Sequence, residues 1–124
     1  MATLEKLPNL SILCLYDQAF IGRKMVCTPK GFPQLKSLIL SNLYNLEEWC
    51  VGKEAMPSLC KLVIIKCFNL EMVPDGLRFI TTLQELQIVD MPKSFEERIQ
   101  VVNEEAGEDV FKVQHVPSII IKTF

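Results

Sequence analysis

A six-residue pattern recurs four times in this chain at almost constant spacing. It reads Leu10-Ser11-Ile12-Leu13-Cys14-Leu15, Leu35-Lys36-Ser37-Leu38-Ile39-Leu40, Leu59-Cys60-Lys61-Leu62-Val63-Ile64 and Leu83-Gln84-Glu85-Leu86-Gln87-Ile88. The first leucines lie 25, 24 and 24 residues apart. Each copy has the form L-x-x-L-x-[L/I]. One copy alone would say little, because the same spacing occurs on amphipathic helices. Four copies in step require an architecture that repeats with the same period.

A period of roughly 20–29 residues around this core is the signature of a leucine-rich repeat. Other columns share the register. Pro8, Pro33 and Pro57 stand two residues before the first leucine, with Thr81 in the fourth copy. Gln18, Leu43, Cys67 and Met91 stand three residues after the core, where such repeats usually carry Asn or Cys; only Cys67 fits. Leu46 and Leu70 follow, then Trp49 and Val73. The expected fold is α/β. It is a curved solenoid with a short parallel sheet on its concave face, an irregular or 3₁₀ convex side, and a C-terminal helix-plus-strand cap. Side chains alternate along a strand, so Leu38 and Leu40 point inward while Ser37, Ile39 and Ser41 point outward. Gly22, Pro29 and Gly31 mark a loop, and Gly52-Lys53-Glu54 a tight turn. Pro74-Asp75-Gly76 is another turn, followed by Leu77, Ile80 and Leu83 at helix-like or 3₁₀ spacing.

Composition shifts after Met91-Pro92, which divides the chain into repeats (1–92) and a capping segment (93–124). From Lys93 to Asp109 six acids stand against Lys93 and Arg98. Ser94 and Glu97 match a capping box. Phe95, Ile99 and Val102 form one apolar helix stripe, and Gly107 is a stop. Val110-Phe111-Lys112-Val113 alternates like a strand. Val116-Pro117-Ser118-Ile119 echoes Met56-Pro57-Ser58-Leu59 and predicts a fifth strand from Ile119 to Ile121. No comparable cap precedes Leu4. The expectation is the C-terminal end of a longer solenoid, or an edge left sticky by Leu4, Leu7 and Leu10.

The bulk properties exclude several classes. The 124 residues suit one domain, and 49% hydrophobic with 23% charged residues suits a folded one. With a net charge of −2 and no basic stripe, nucleic acid is not an expected partner. No apolar run approaches the roughly 20 residues of a membrane span. Met1-Ala2-Thr3-Leu4-Glu5-Lys6 is no signal peptide, so the expected location is cytoplasmic. Five cysteines, an odd count without C-x-x-C, indicate reduced thiols. The sequon Asn9-Leu10-Ser11 is read as chance.

No catalytic, cofactor or metal motif stands out, and the chain is read as non-enzymatic. His115, the one histidine, is read as structural. An enzyme reading would need Cys60 or Cys67 beside it as a thiol nucleophile. The acids at 104, 105, 108 and 109 lack the D-x-[DN]-x-[DN]-G calcium pattern and read as a solvated loop. Cys67 suits a weak S–H donor inside the turn after its strand. Trp49 aligns with Val73 and reads as core.

The tail carries the most specific resemblance. Met91-Pro92-Lys93-Ser94-Phe95-Glu96-Glu97-Arg98-Ile99 is followed by Gly107-Glu108-Asp109-Val110-Phe111-Lys112-Val113-Gln114-His115-Val116-Pro117-Ser118-Ile119. This "MPxxFxxR … GEDxxKVxHVPSI" ending, with irregular repeats such as Phe32-Pro33-Gln34-Leu35 continuing to Asn45-Leu46-Glu47-Glu48-Trp49, resembles the C-terminal end of plant coiled-coil, nucleotide-binding, leucine-rich-repeat disease-resistance proteins. The sequence holds no G-x-x-x-x-G-K-[ST] loop, so nucleotide binding is not implied for it. The resemblance implies a role in pathogen-effector recognition and in autoinhibition.

The candidate site is the ladder of outward strand residues: Tyr16, Asp17, Lys36, Ile39, Ser41, Asn42, Lys61, Val63, Ile65, Lys66, Gln87, Val89 and Asp90. Cys14, Ile39 and Val63 share one apolar column, and Ile65 and Val89 the next. Lys36, Lys61 and Lys66 give it a basic rim suited to an acidic protein. Partners would be a pathogen effector, a guarded host protein or other domains of the same receptor. The alternative is a substrate-receptor or adaptor module of an F-box-type ubiquitin ligase.

Overall fold

The repeat cores are short apolar runs in which Leu or Ile recurs at every second position, so a strand can bury one face at a period of two. The computed structural model describes residues 9–16, 22–102 and 105–123. In chain order the strands are β1 (Ile12–Tyr16), β2 (Lys24–Cys27), β3 (Ser37–Ser41), β4 (Glu48–Val51), β5 (Lys61–Ile65), β6 (Glu85–Val89), β7 (Val101–Val102), β8 (Glu105–Ala106) and β9 (Ser118–Lys122). The main sheet is parallel, in the order β1-β3-β5-β6-β9. The fold is a parallel-sheet solenoid of the leucine-rich-repeat type, and its fifth strand lies where the echo of Met56-Pro57-Ser58 put it.

Register is uniform along the sheet. Leu13, Leu38, Leu62, Leu86 and Ile119 form one inward column; Leu15, Leu40, Ile64, Ile88 and Ile121 form the other. The inward residues of β3, β5 and β6 are all at most 1% exposed. Each strand then ends on a left-handed residue: Asn42 (φ 57°), Lys66 (φ 49°) and Asp90 (φ 50°). This bend aims each N–H at the next strand's last carbonyl. Asn42 donates to Ile65 at 2.9 Å, Lys66 to Val89 at 3.1 Å and Asp90 to Lys122 at 2.9 Å. Asn and Asp visit this region readily; Lys66 is held there by its neighbours.

The next column, Leu43, Cys67 and Met91, is buried beneath the turns. Cys67 Sγ donates to the Ile65 and Leu40 carbonyls at 3.4 and 3.7 Å, and its N–H meets Met91 Sδ at 3.3 Å. The thiol fills the turn as the sequence suggested. Gln18 lies outside the described residues.

Across the core lies a second, two-stranded parallel sheet of β2 and β4. The sequence reading expected only irregular or 3₁₀ structure there. Met25 and Trp49 are paired in register and buried, with Val73 buried one repeat on. Glu71 N–H extends the ladder to the Glu47 carbonyl at 3.2 Å. It stops there because Pro74 has no N–H to donate. The chain instead forms a 3₁₀ turn at Asp75–Phe79 that buries Leu77. A Cβ on Gly76 would come within 2.6 Å of the Val51 carbonyl, so only glycine lets this turn approach β4.

The capping segment departs most from expectation. Helix α1 (Lys93–Arg98) begins at Pro92, and Ser94 makes no capping hydrogen bond, so the predicted capping box is absent. Phe95 and Ile99 are buried, but the helix ends at Arg98 and Val102 belongs to β7. An antiparallel β7–β8 pair precedes Gly107. Residues Val110–Val113 form a helical turn, α2, not a strand. Only helical geometry lets Lys112 reach Asp109 three residues back, at 2.8 Å.

Substituting Leu62, which is fully buried, should break the stack. Leu62→Asp is expected to cost about 3–5 kcal/mol, because it leaves an unpaired charge in the core. Denaturant titration checks this. An unchanged midpoint would mean that the inward column is not what holds the turns together.

Candidate protein-binding face

The outer face of the main sheet presents three aligned columns: Ile12-Ser37-Lys61-Glu85-Ser118, Cys14-Ile39-Val63-Gln87-Ile120 and Tyr16-Ser41-Ile65-Val89-Lys122. Of the candidate residues, Tyr16, Lys36 and Lys66 are exposed, and Ile39, Ser41, Asn42, Lys61, Ile65, Gln87 and Asp90 are half-buried. Asp17 lies outside the described residues. Val63 and Val89 are only 6% and 7% exposed. They face outward between Ile39 and Gln87 and between Ile65 and Lys122. The accessible apolar surface is therefore Ile12, Cys14 and Tyr16 at one end, running into Ile39 and Ile65. Ile12 and Tyr16 are 63% and 59% exposed.

The basic rim is partly neutralised. Lys61 Nζ lies 3.5 Å from Glu85 Oε2. The Gln87 amide donates to the same carboxylate at 2.9 Å. Gln87 first, then Lys61 and Lys122, hold the Glu85 carboxyl below its usual range. Glu85 thus stays charged into mild acid and keeps Lys61 engaged. Lys36 and Lys66 remain as exposed cations.

An aromatic pair was not anticipated. Tyr44 and Phe68 stack with ring centroids 5.7 Å apart and both are about half exposed. They stand two residues beyond Asn42 and Lys66, beside the same face. Asn69 Nδ2 donates to the Tyr44 carbonyl at 2.6 Å and fixes the turn. The signal was present, since the two aromatics are one repeat apart.

Of the acids expected to solvate a loop, Glu105 and Glu108 are exposed and Asp109 is not; Glu104 lies outside the described residues. Asp109 and Lys112 are 1% and 3% exposed. Arg98 Nε meets Asp109 at 2.9 Å and its Nη1 meets Glu108 at 2.8 Å. Lys112 Nζ reaches Asp109 at 2.8 Å, Asp75 at 2.9 Å and the Val73 carbonyl at 2.9 Å. This cluster bolts the capping segment to the repeat before it. Burial alone would lower the Lys112 pKa, but hydrogen bonds to Asp109 and Asp75 more than offset it and raise the value above 10.5. A Cβ on Gly107 would stand 2.1 Å from the Glu97 carbonyl, so the chain passes here only as glycine.

His115 and Cys67 each have a structural partner. His115 Nε2–H donates to the Ile80 carbonyl at 3.0 Å, which ties the tail to the 3₁₀ turn. Burial pushes the Cys67 thiol up, away from the thiolate a nucleophile needs. A cleft of about 360 Å³ between β4 and residues 71–76 is lined by apolar groups, acids and the Cys50 thiol. Among the described residues no group of three His, Cys, Asp or Glu side chains could hold a metal, and no helix is long and apolar enough to cross a membrane.

Known sequences resolve the origin of these features. Disease resistance RPP8-like protein 3 of Arabidopsis thaliana is 45% identical over 119 residues, covering 96% of this chain and 12% of that protein. Disease resistance proteins RPP8 and RPH8A of the same plant are each 43% identical over the same span, 13% of their lengths. This chain is homologous to the C-terminal repeat region of plant disease-resistance proteins. It spans about an eighth of the length of these resistance proteins. No family model and no solved structure matches it.

Within the capping cluster the two adjacent acids should separate cleanly. Asp109→Ala is expected to cost about 3 kcal/mol, since it takes a shared partner from buried Lys112 and half-buried Arg98. Glu108→Ala, at a side chain 78% exposed, should cost under about 1 kcal/mol. Equal effects in denaturant titration would mean that the cluster does not secure the segment. A raised folded-state pKa adds stability below the unfolded value and loses it as pH climbs through the folded one. Lys112 should therefore hold the segment throughout the ordinary lysine range and release it only at pH beyond that range, read as a fall in the denaturant midpoint that Lys112→Met does not show.

Proposed function

We propose that this segment is a non-catalytic protein-recognition module of a cytoplasmic plant immune receptor. Its outer strand face would contact a pathogen effector, a guarded host protein or another domain of the same receptor. The same contact made within the receptor would restrain it until the effector competes. Homology to disease-resistance proteins supports the setting in plant defence. The observation that carries the reading is the aligned outer face: apolar columns flanked by exposed Lys36, Lys66 and the Tyr44–Phe68 pair. Apolar and aromatic centres with a charged rim are what protein interfaces use. No observation favours the ubiquitin-ligase alternative.

The test is charge reversal at Lys36 and Lys66 together, in a receptor carrying this segment. The fold should be unaffected, because both side chains are exposed. Binding of an acidic partner should slow, with association falling about tenfold or more at low salt. In the autoinhibited receptor the same change should raise basal cell death. If neither binding nor restraint changes while Leu62→Asp abolishes both, the outer face is not the recognition surface.

A further inference from the structure

Among the described residues β9 is the last strand of the main sheet, and no described strand pairs with its outer edge. The bonds already made fix which backbone groups face that edge. Ser118 N–H donates to the Gln84 carbonyl at 3.1 Å, and the Lys122 carbonyl accepts from Asp90 N–H at 2.9 Å. Alternate residues of a strand address the same neighbour. Ser118, Ile120 and Lys122 therefore turn their backbone groups toward β6. Ile119 and Ile121 turn theirs away, and no described strand lies beyond them. The side chains agree. Ile119 is 37% exposed, although its column mates Leu38, Leu62 and Leu86 are at most 1% exposed. Ile121 is half-buried where Leu40, Ile64 and Ile88 are fully buried.

Natural edge strands are usually blunted by proline, a bulge or an inward-pointing charge. Ser118-Ile119-Ile120-Ile121-Lys122 has no proline, bulge or inward-pointing charge; its one charge, Lys122, stands at the strand's end in the outward column. We propose that β9 is a self-association edge, through which two copies of this chain pair antiparallel about a two-fold axis at Ile120. In that register Ile119 of one copy lies opposite Ile121 of the second copy, and both have free backbone groups to exchange. Ile120 faces its own counterpart as a non-hydrogen-bonded pair, because its backbone bonds go to β6. An axis perpendicular to the sheet keeps both cores on one side. The half-exposed isoleucines of each copy then cover those of the other.

The charges suit the same register. Lys122 of one copy falls opposite Ser118 of the other, and Ser118 is itself paired with Glu85 on β6. The two Lys122 side chains lie at opposite ends of the seam. Such an isologous pairing closes at two copies, whereas a head-to-tail stack would propagate. The proposal stands independently of what the outer face recognises.

Sedimentation of the 124-residue chain tests it. The mass should double as concentration rises. Ile119→Lys should remain monomeric with an unchanged circular dichroism spectrum, since that side chain already reaches solvent. A cross-link tests the register independently of that variant's folding. With Cys14, Cys50 and Cys60 replaced by serine, Ile120→Cys should oxidise to a covalent dimer. Directly opposed non-hydrogen-bonded residues bring their Cα atoms to about 4.5 Å, within disulfide reach. Lys122→Cys in the same background should not cross-link. A chain monomeric at every concentration, a folded Ile119→Lys variant that still dimerises, or Ile120→Cys cross-linking no faster than Lys122→Cys would each overturn the proposal.

Discussion

Everything in this solenoid depends on the mutual burial of its inward columns. One repeat of about two dozen residues cannot enclose its own leucines; the repeats on either side must do it. Each buried leucine or isoleucine contributes about 1.5–3 kcal/mol, against roughly 1 kcal/mol for a ladder hydrogen bond. Side chains therefore set the register and the backbone ladder follows. A slip of one residue would carry Ser37, Lys61 and Glu85 into the core, which forbids it. The alignment of the outer columns is a consequence. A flat row of matched outward positions exists because the inward ones have only one way to stack.

The capping segment is held by different physics. Its apolar contribution is modest: Phe95, Ile99, Val113 and Val116. What fixes its position is the Arg98–Asp109–Lys112 cluster, which reaches across to Asp75 and the Val73 carbonyl. Burying charges costs desolvation, so the net stability gain of such a cluster is small, while its geometry admits one arrangement. Sliding the segment along the repeat would cost Lys112 its bonds to Asp75 and the Val73 carbonyl. The MPxxFxxR and GEDxxKVxHVPSI signature is thus a docking device. Met91 meets the Cys67 N–H, Phe95 is buried, Arg98 gathers two acids, Gly107 clears a carbonyl, Lys112 crosses to the repeat and His115 closes on Ile80.

The repeat strands were legible because their period is long and each copy restates it. The role of Cys67 and the burial of Trp49 were legible for the same reason. Three features were hidden. The β2–β4 sheet rests on short segments, Lys-Met-Val-Cys and Glu-Trp-Cys-Val, too brief for periodicity to distinguish strand from loop. The strand predicted at Val110–Val113 failed because four residues of alternation are weaker than an ion pair that needs a helical turn. Burial of Val63 and Val89 depended on how closely neighbouring strands crowd them, and a single strand's sequence carries no such information. At the outer face, sequence placed the columns correctly but could not show that Lys61 was already engaged by Glu85.

Where the capping segment docks also decides what is left for recognition. Helix α2 packs on the 3₁₀ turn of Asp75–Phe79, and Lys112 anchors at Val73, both across the core from the main sheet. None of its bonding uses Tyr16, Ile39, Ile65 or Lys66. The outer face is consequently relieved of structural duty on one side by the inward columns and on the other by the tail. Changes of charge at exposed Lys36 and Lys66 touch neither the core stack nor the ion cluster, so that rim can vary in charge while the fold stays fixed. Val63 and Val89 are the exceptions: being shielded, they tie the centre of the face to the strands beneath it. Variation is therefore freest around the Tyr16 end and the Tyr44–Phe68 rim, and most constrained along the line from Val63 to Val89.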